Sequence, residues 1–323
     1  KEVEEQVTDK IEKKIQELSS VETDSQEAYL RMAQSLIEDG KNDTGLSLLE
    51  KASARLAPGQ RIRILMALAN GYAGQQDRDK TTRLYELLRK ENPSDWRHIH
   101  AHARWNLSLG NIQESLNQFT AAAALRRNDL NLRIIISFLH WRMGNTEQAV
   151  RDLKAVLIAD EDNINANYYL CKILSQRGEY LQAEEHGNRI HELFKKNLVQ
   201  TLPDQNRKDM LLDTLHTLAE SALQRGDTFR ALKYAYLGIN FDSEDQFHFL
   251  SLTGDVFFLQ KKYARAERYY SLAVKKNPGI PFLRFKLART FLQTEKLYQA
   301  RQILEDILAR VPKFHHRHSL MIL

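Results

Sequence analysis

Two stretches near the end of the chain, LSLTGDVFFLQKKYARAERYYSLAVKKNPG and RFKLARTFLQTEKLYQARQILEDILARVPK, align residue for residue. Gly254 falls on Ala288, Phe257 on Phe291, Tyr263 on Leu297, Ala266 on Ala300 and Pro278 on Pro312, each pair thirty-four positions apart. A fixed period of this length constrains the fold strongly, because one such unit cannot bury its own apolar face and must stack on its neighbours. Carried backwards, the period places units near residues 26, 62, 96, 130, 164, 212, 247 and 281, with 62 to 164 in unbroken register.

Two columns of these units hold small residues. The eighth position reads Ala33, Ala69, Ala103, Ser137, Cys171, Ala219, Gly254, Ala288, and the twentieth reads Gly45, Thr81, Ser115, Ala149, Ala183, Ala231, Ala266, Ala300. Small side chains at fixed places in two helical halves let the backbones approach while larger neighbours interdigitate. Gly40, Gly110, Gly144, Gly178 and Gly226 fall between the halves, where a residue tolerating positive φ ends a helix. Pro93, Pro278 and Pro312 close three second helices. The unit is therefore an antiparallel helix pair, and 13 Gly and 6 Pro in 323 residues leave few turns for strands.

This pattern resembles the tetratricopeptide repeat over residues 26 to 314. The early tryptophan of that family is mostly missing, and Arg127, Glu161, Lys195 and Ser243 stand where a closing proline is usual. The resemblance implies an all-α, right-handed α-solenoid of about eight helix-turn-helix repeats with a concave groove lined by the first helix of each. The expected divisions are a charged amphipathic leader helix (1–25), repeats one to five (26–197), an insertion or hinge (198–211), repeats six to eight (212–314) and a short, truncated-looking tail (315–323).

Chemistry beyond binding finds little support in the residues. There is no phosphate loop, dinucleotide fingerprint, zincin motif or nucleophile elbow, so no enzyme activity, cofactor or small-molecule substrate is expected. His98 and His102 share a helix face at four-residue spacing, but the register makes His102 a packing residue and His100 a groove residue; the tail histidines His315, His316 and His318 have no acid or Cys beside them. No metal site is expected. Cys171, the single cysteine, occupies the small-residue column and reads as inert. No run of about 18 uncharged apolar residues occurs, so membrane attachment would need a segment outside this sequence, such as an anchor preceding Lys1.

Charge is uneven. The net +5 divides into +10 from residue 261 onward and −5 before it. The densest part, KKYARAERYYSLAVKKNPG, has six Lys or Arg and one acid in nineteen residues. Tyr72, Phe119, Tyr180, Phe257, Tyr263, Tyr270 and Phe291 recur at packing positions, which argues against base stacking and so against nucleic acid.

The resemblance places Asn70, His100, Arg104, Ile134, Phe138, Tyr168, Lys172, Phe285 and Arg289 along the groove, together with Arg31, Gln34 and Met66. That surface is apolar and aromatic with a few cations, and suits an extended or helical peptide of a protein partner. The carboxylate clamp by which members of that family hold acidic chaperone tails would need Lys and Asn four apart on the first inner helix, Asn on the second, and Lys and Arg four apart on the third; the corresponding pairs are Leu30 and Gln34, Met66 and Asn70, and Arg97 and Ala101, and only Asn70 fits. The reading is a non-catalytic scaffold, similar to arrays of bacterial envelope assembly and exopolysaccharide export, which favours a periplasmic or membrane-anchored setting. The alternatives are polyanion binding, to nucleic acid or anionic lipid, through the basic C-terminal repeats, and head-to-tail self-association.

Overall fold

The computed structural model describes residues 22–197, 205–241 and 246–311. They form sixteen α-helices and, among the described residues, no strand. The chain divides into two compact units, Lys1–Asn145 and Thr146–Leu323. The first holds α1 (Glu22–Glu38), α2 (Asn42–Arg55), α3 (Ile62–Gly74), α4 (Arg78–Glu91), α5 (Trp96–Ser108), α6 (Ile112–Leu125) and α7 (Leu130–Arg142). The second holds α8 (Thr146–Ala159), α9 (Ile164–Gln176), α10 (Tyr180–Asn197), α11 (Gln205–Gln224), α12 (Thr228–Phe241), α13 (Phe247–Leu259), α14 (Tyr263–Lys276), α15 (Pro281–Gln293) and α16 (Leu297–Arg310).

Local sequence explains where these helices begin. Asp95, Asp129 and Asn163, each thirty-four residues from the next, cap α5, α7 and α9 by accepting hydrogen bonds from Arg97 N, Leu132 N and Ala166 N. A side-chain oxygen there satisfies an amide that has no partner within the helix. Pro281 opens α15, where its missing N–H costs nothing.

The turn inside each repeat is the same in all eight. A 6→1 backbone bond closes it, from Lys41 N to Leu36 O, Asp77 N to Tyr72 O, and onward to Lys296 N to Phe291 O, at 2.8–3.0 Å. The preceding residue is left-handed: glycine at 40, 110, 144, 178 and 226, but Gln76, Lys261 and Glu295 in the other three, at φ 59–60°. This is the Schellman turn. A Cβ at Gly178 would meet no atom within 4 Å, so only backbone strain opposes a side chain. Gly178→Ala is expected to destabilise by about 1 kcal/mol, and Gln76→Gly to stabilise by a few tenths. Urea unfolding of the two variants checks both signs.

Both small-residue columns lie in the core. Ala33, Ala69, Ala103, Ser137, Cys171 and Ala288 are fully buried, as are Thr81, Ser115, Ala149, Ala183, Ala266 and Ala300. Ser115 Oγ donates to Ala103 O at 2.8 Å, so α5 and α6 meet nearly backbone to backbone. Tyr72, Phe119, Phe257, Tyr270 and Phe291 are buried beside them, while Tyr180 and Tyr263 are half-buried.

Residues 205–211, assigned from the sequence to an insertion or hinge, are the first two turns of α11, which makes that helix twenty residues long. Residues 198–204 of that segment, the leader up to residue 21 and the tail 315–323 with its three histidines lie outside the described residues.

Candidate partner-binding surfaces

In the first unit, α1 and α3 with the start of α5 enclose a cleft of ≈ 680 Å³. Its floor is apolar, formed by Leu30, Ala33, Ile37, Ile62 and Met66. Its rim is charged but balanced. Glu27 holds Arg31 at 3.0 Å and Arg63 at 2.8 Å, while Arg97 lies 3.9 Å from Asp95. The bonds from Arg31 and then Arg63 hold the Glu27 carboxyl below its usual range. Asn70, exposed, also lines this cleft, and its Oδ1 faces the Tyr85 hydroxyl at 3.4 Å. With its cations already paired, the cleft offers more to an apolar side chain than to an anion.

The other expected groove residues of this unit divide. Arg104 is exposed. His100 is half-buried and wedged edge-on between Trp96, 6.0 Å away, and Phe119, 5.4 Å away; burial, with help from Arg104, lowers its pKa. Phe138 is half-buried, edge-on to Trp141 at 6.2 Å with the Arg142 guanidinium over its ring at 5.9 Å. Ile134 does not line a surface. At 5% exposure it is a core residue of α7, so the fifth position of the repeat does not open to solvent there.

In the second unit, neighbouring first helices are tied across their face. Asp213 on α11 accepts from the Tyr168 hydroxyl at 2.6 Å and from Lys172 Nζ at 2.9 Å, both on α9. Burial, and then the hydrogen bond to Asp213, push the Tyr168 phenol well above its ordinary pKa. Lys286 on α15 reaches back to Asp255 on α13 at 2.6 Å and to Ser251 Oγ at 3.0 Å. Asp255 also accepts from the Tyr270 hydroxyl at 2.7 Å. His216 meets His248 edge-on at 5.6 Å and lies 3.5 Å from Glu220; burial keeps its pKa low. Arg289 is exposed, with its guanidinium 4.3 Å above the Phe258 ring.

Two expectations change here. Phe285, at 6% exposure, packs against Ala288, Leu304 and Ile307 and belongs to the core, because its ring turns toward the second helix of its own repeat. Lys172 is on the face, but Asp213 neutralises it, so it is not a free cation for a ligand. Asp213, Asp255 and Lys286 went unremarked in the sequence, although an opposite charge in the adjacent repeat was the available signal.

The histidine pair is accounted for by packing. His98 is 2% exposed with Nε2 against Asn92 O, and His102 stacks on Tyr85 at 4.8 Å while its Nδ1 meets Gln118 Nε2 at 3.1 Å. They border a smaller cleft of ≈ 530 Å³ over α4, α5 and α6. Burial raises the Cys171 thiol to about 12, which keeps it protonated and unreactive at neutral pH. Among the described residues no three His, Cys, Asp or Glu side chains converge as a metal site, and no helix is long and apolar enough to cross a membrane.

Helix pairs of this geometry recur in solved structures. The C-terminal part of a repeat-containing protein from Cytophaga hutchinsonii superimposes with a TM-score of 0.62 over 80% of this chain and 99% of its own, at 14% identity. A tetratricopeptide repeat protein from Parabacteroides merdae gives 0.54 over 82% and 98%, at 16% identity. The pilF protein of Pseudomonas aeruginosa gives 0.55 over 70% and 96%, at 13% identity. A tetratricopeptide-repeat family model matches residues 257–321. The chain has the fold of tetratricopeptide-repeat proteins. Identities this low carry the fold alone, and no curated protein matches the sequence significantly. In this fold the faces just described belong to the first helices of successive repeats, the surfaces on which stacked helix pairs present side chains without disturbing their core.

Proposed function

We propose that the protein is a non-catalytic scaffold that captures an apolar segment of a partner protein on the first-helix faces of its repeats. The α1–α3 cleft carries this reading: an apolar floor bounded by internally paired charges matches a ligand that inserts hydrophobic side chains and is oriented by hydrogen bonds to its rim. Asn70 and Gln34 supply that rim. Phe138 and Tyr168 are further contacts of the same kind in their own units.

A random displayed-peptide library panned on the protein tests it. Selected peptides should carry two or more large apolar residues and protect α1 and α3 from amide exchange. They should lose affinity about tenfold or more on Leu30→Asp or Met66→Asp, and change less than about twofold between low and moderate salt. Acidic peptides whose binding collapses with salt, or protection confined to other helices, would reject the reading.

A further inference from the structure

The cleft leaves the densest charge of the molecule unused. In α14, Arg265, Arg268, Leu272, Lys275 and Lys276 fall within an arc of roughly 100° on the solvent side, opposite the buried Ala266, Tyr270 and Ala273. Lys261 and Lys262 extend this stripe at the turn before the helix. The single acid of the stretch, Glu267, is occupied: Lys296 holds both of its oxygens, at 2.6 and 2.8 Å. The same bridge brings the start of α16 beside α14, and there Leu297 and Tyr298 are 60% and 78% exposed. Leu272, on the stripe itself, is 40% exposed. Leu272 thus stands within the basic stripe, and Leu297 and Tyr298 stand at its border, where the charges of Lys296 and Arg301 are paired with Glu267 and Glu305.

We infer that the α14–α16 outer face docks on an anionic lipid bilayer. Basic side chains gain from the negative surface potential of anionic lipid, and apolar tips among them gain by entering the headgroup boundary. Single-stranded nucleic acid fits the same charge less well, since it needs a row of exposed rings for its bases and, among the described residues, Tyr298 is the one aromatic of this patch that is mostly exposed. The contact is peripheral and lies within the chain itself, whereas the sequence placed any membrane attachment outside it.

Vesicle co-sedimentation decides the matter. The protein should pellet with phosphatidylcholine vesicles containing about one third phosphatidylserine, and stay in the supernatant with pure phosphatidylcholine; each cation near the surface is worth roughly fivefold in partitioning. Arg268→Glu with Lys275→Glu should therefore lower binding more than tenfold. Leu297→Ser with Tyr298→Ser, which leaves the charge intact, should lower it severalfold and abolish what remains at moderate salt. Both pairs are solvent-exposed, and unchanged circular dichroism confirms that each variant is folded. Equal binding to neutral vesicles, no binding to anionic ones, or charge reversal without effect would overturn the inference. So would binding that is insensitive to the Leu297 and Tyr298 changes and is displaced fully by an oligothymidylate, which would assign the face to nucleic acid.

Discussion

Glu184→Ala is expected to remove about 3–5 kcal/mol of stability, the cost of stripping one partner from a buried ion pair. Glu184 sits on α10 at 7% exposure and receives three donors from the next repeat. Arg225 Nη2 lies at 2.8 Å, Arg230 Nη1 at 2.8 and 3.0 Å from the two carboxylate oxygens, and the Tyr234 hydroxyl at 2.8 Å. Arg230 is half exposed and can rehydrate, but Arg225 is only 18% exposed and Tyr234 is 1% exposed. Burial, and then the bond to Glu184, raise the Tyr234 phenol to about 12, so it remains a donor at any working pH. Removing the carboxylate leaves the Arg225 guanidinium with Asp227 at 3.8 Å and the Tyr234 hydroxyl with Asn188 Oδ1 at 2.9 Å, and takes the one charged acceptor they share out of the interface of α10 with α11 and α12. Glu184→Gln keeps an acceptor for Tyr234 and loses the charge, so it should cost roughly half as much. Equilibrium urea unfolding gives the totals. Because stability in a stacked array resides in nearest-neighbour interfaces, amide exchange should rise first in α10 to α12. A total loss under about 1 kcal/mol would show that the cluster is rehydrated in the native state.

What the sequence discloses and what it hides separate along this same line. Repeat number, the start of six first helices at 62, 96, 130, 164, 247 and 281, and the buried columns around Ala69, Ala103 and Ala266 were legible because they recur. Packing between helices of fixed length demands the same residue size at the same place each time. The groove was legible only as a direction. Ile134 and Phe285 occupy the same repeat position as His100 and Tyr168, yet the first two are buried and the others half-buried, because exposure at that position depends on neighbouring side chains that do not repeat. The pairing of the groove residue Lys172 was hidden for the same reason: its partner Asp213 lies forty-one residues away, beyond the break in the thirty-four-residue register. Periodicity specifies what all repeats share, whereas the binding surface is built from what they do not.

Gly238→Ala shows how a departure from the repeat can be as strict as the repeat itself. In an exposed helix interior, glycine to alanine stabilises by up to about 1 kcal/mol, since alanine loses less backbone entropy. Gly238 lies inside α12, at the repeat position that Ile190 and Ala273 fill in the neighbouring units. The structure supplies the reason. A Cβ there would stand 2.5 Å from Cδ1 of Phe249 and closer still to Cε1 and Cζ. Phe249 projects from α13 at 4% exposure into a cluster with Tyr234, Ala235 and Leu252, so the ring itself fills the place of the missing side chain. A rigid ring held on all sides cannot swing aside as the end of a leucine can. Gly238→Ala should therefore destabilise by about 1–3 kcal/mol through overpacking. Gly74→Ala, at the exposed end of α3 with no atom within 4 Å of the new Cβ, should be neutral or slightly stabilising. The coupling identifies the cause: in a Phe249→Leu background, where a flexible side chain faces the new methyl, most of the Gly238→Ala penalty should disappear in a double-mutant cycle. A penalty unchanged by Phe249→Leu would place the strain in the α12 backbone instead of at the ring.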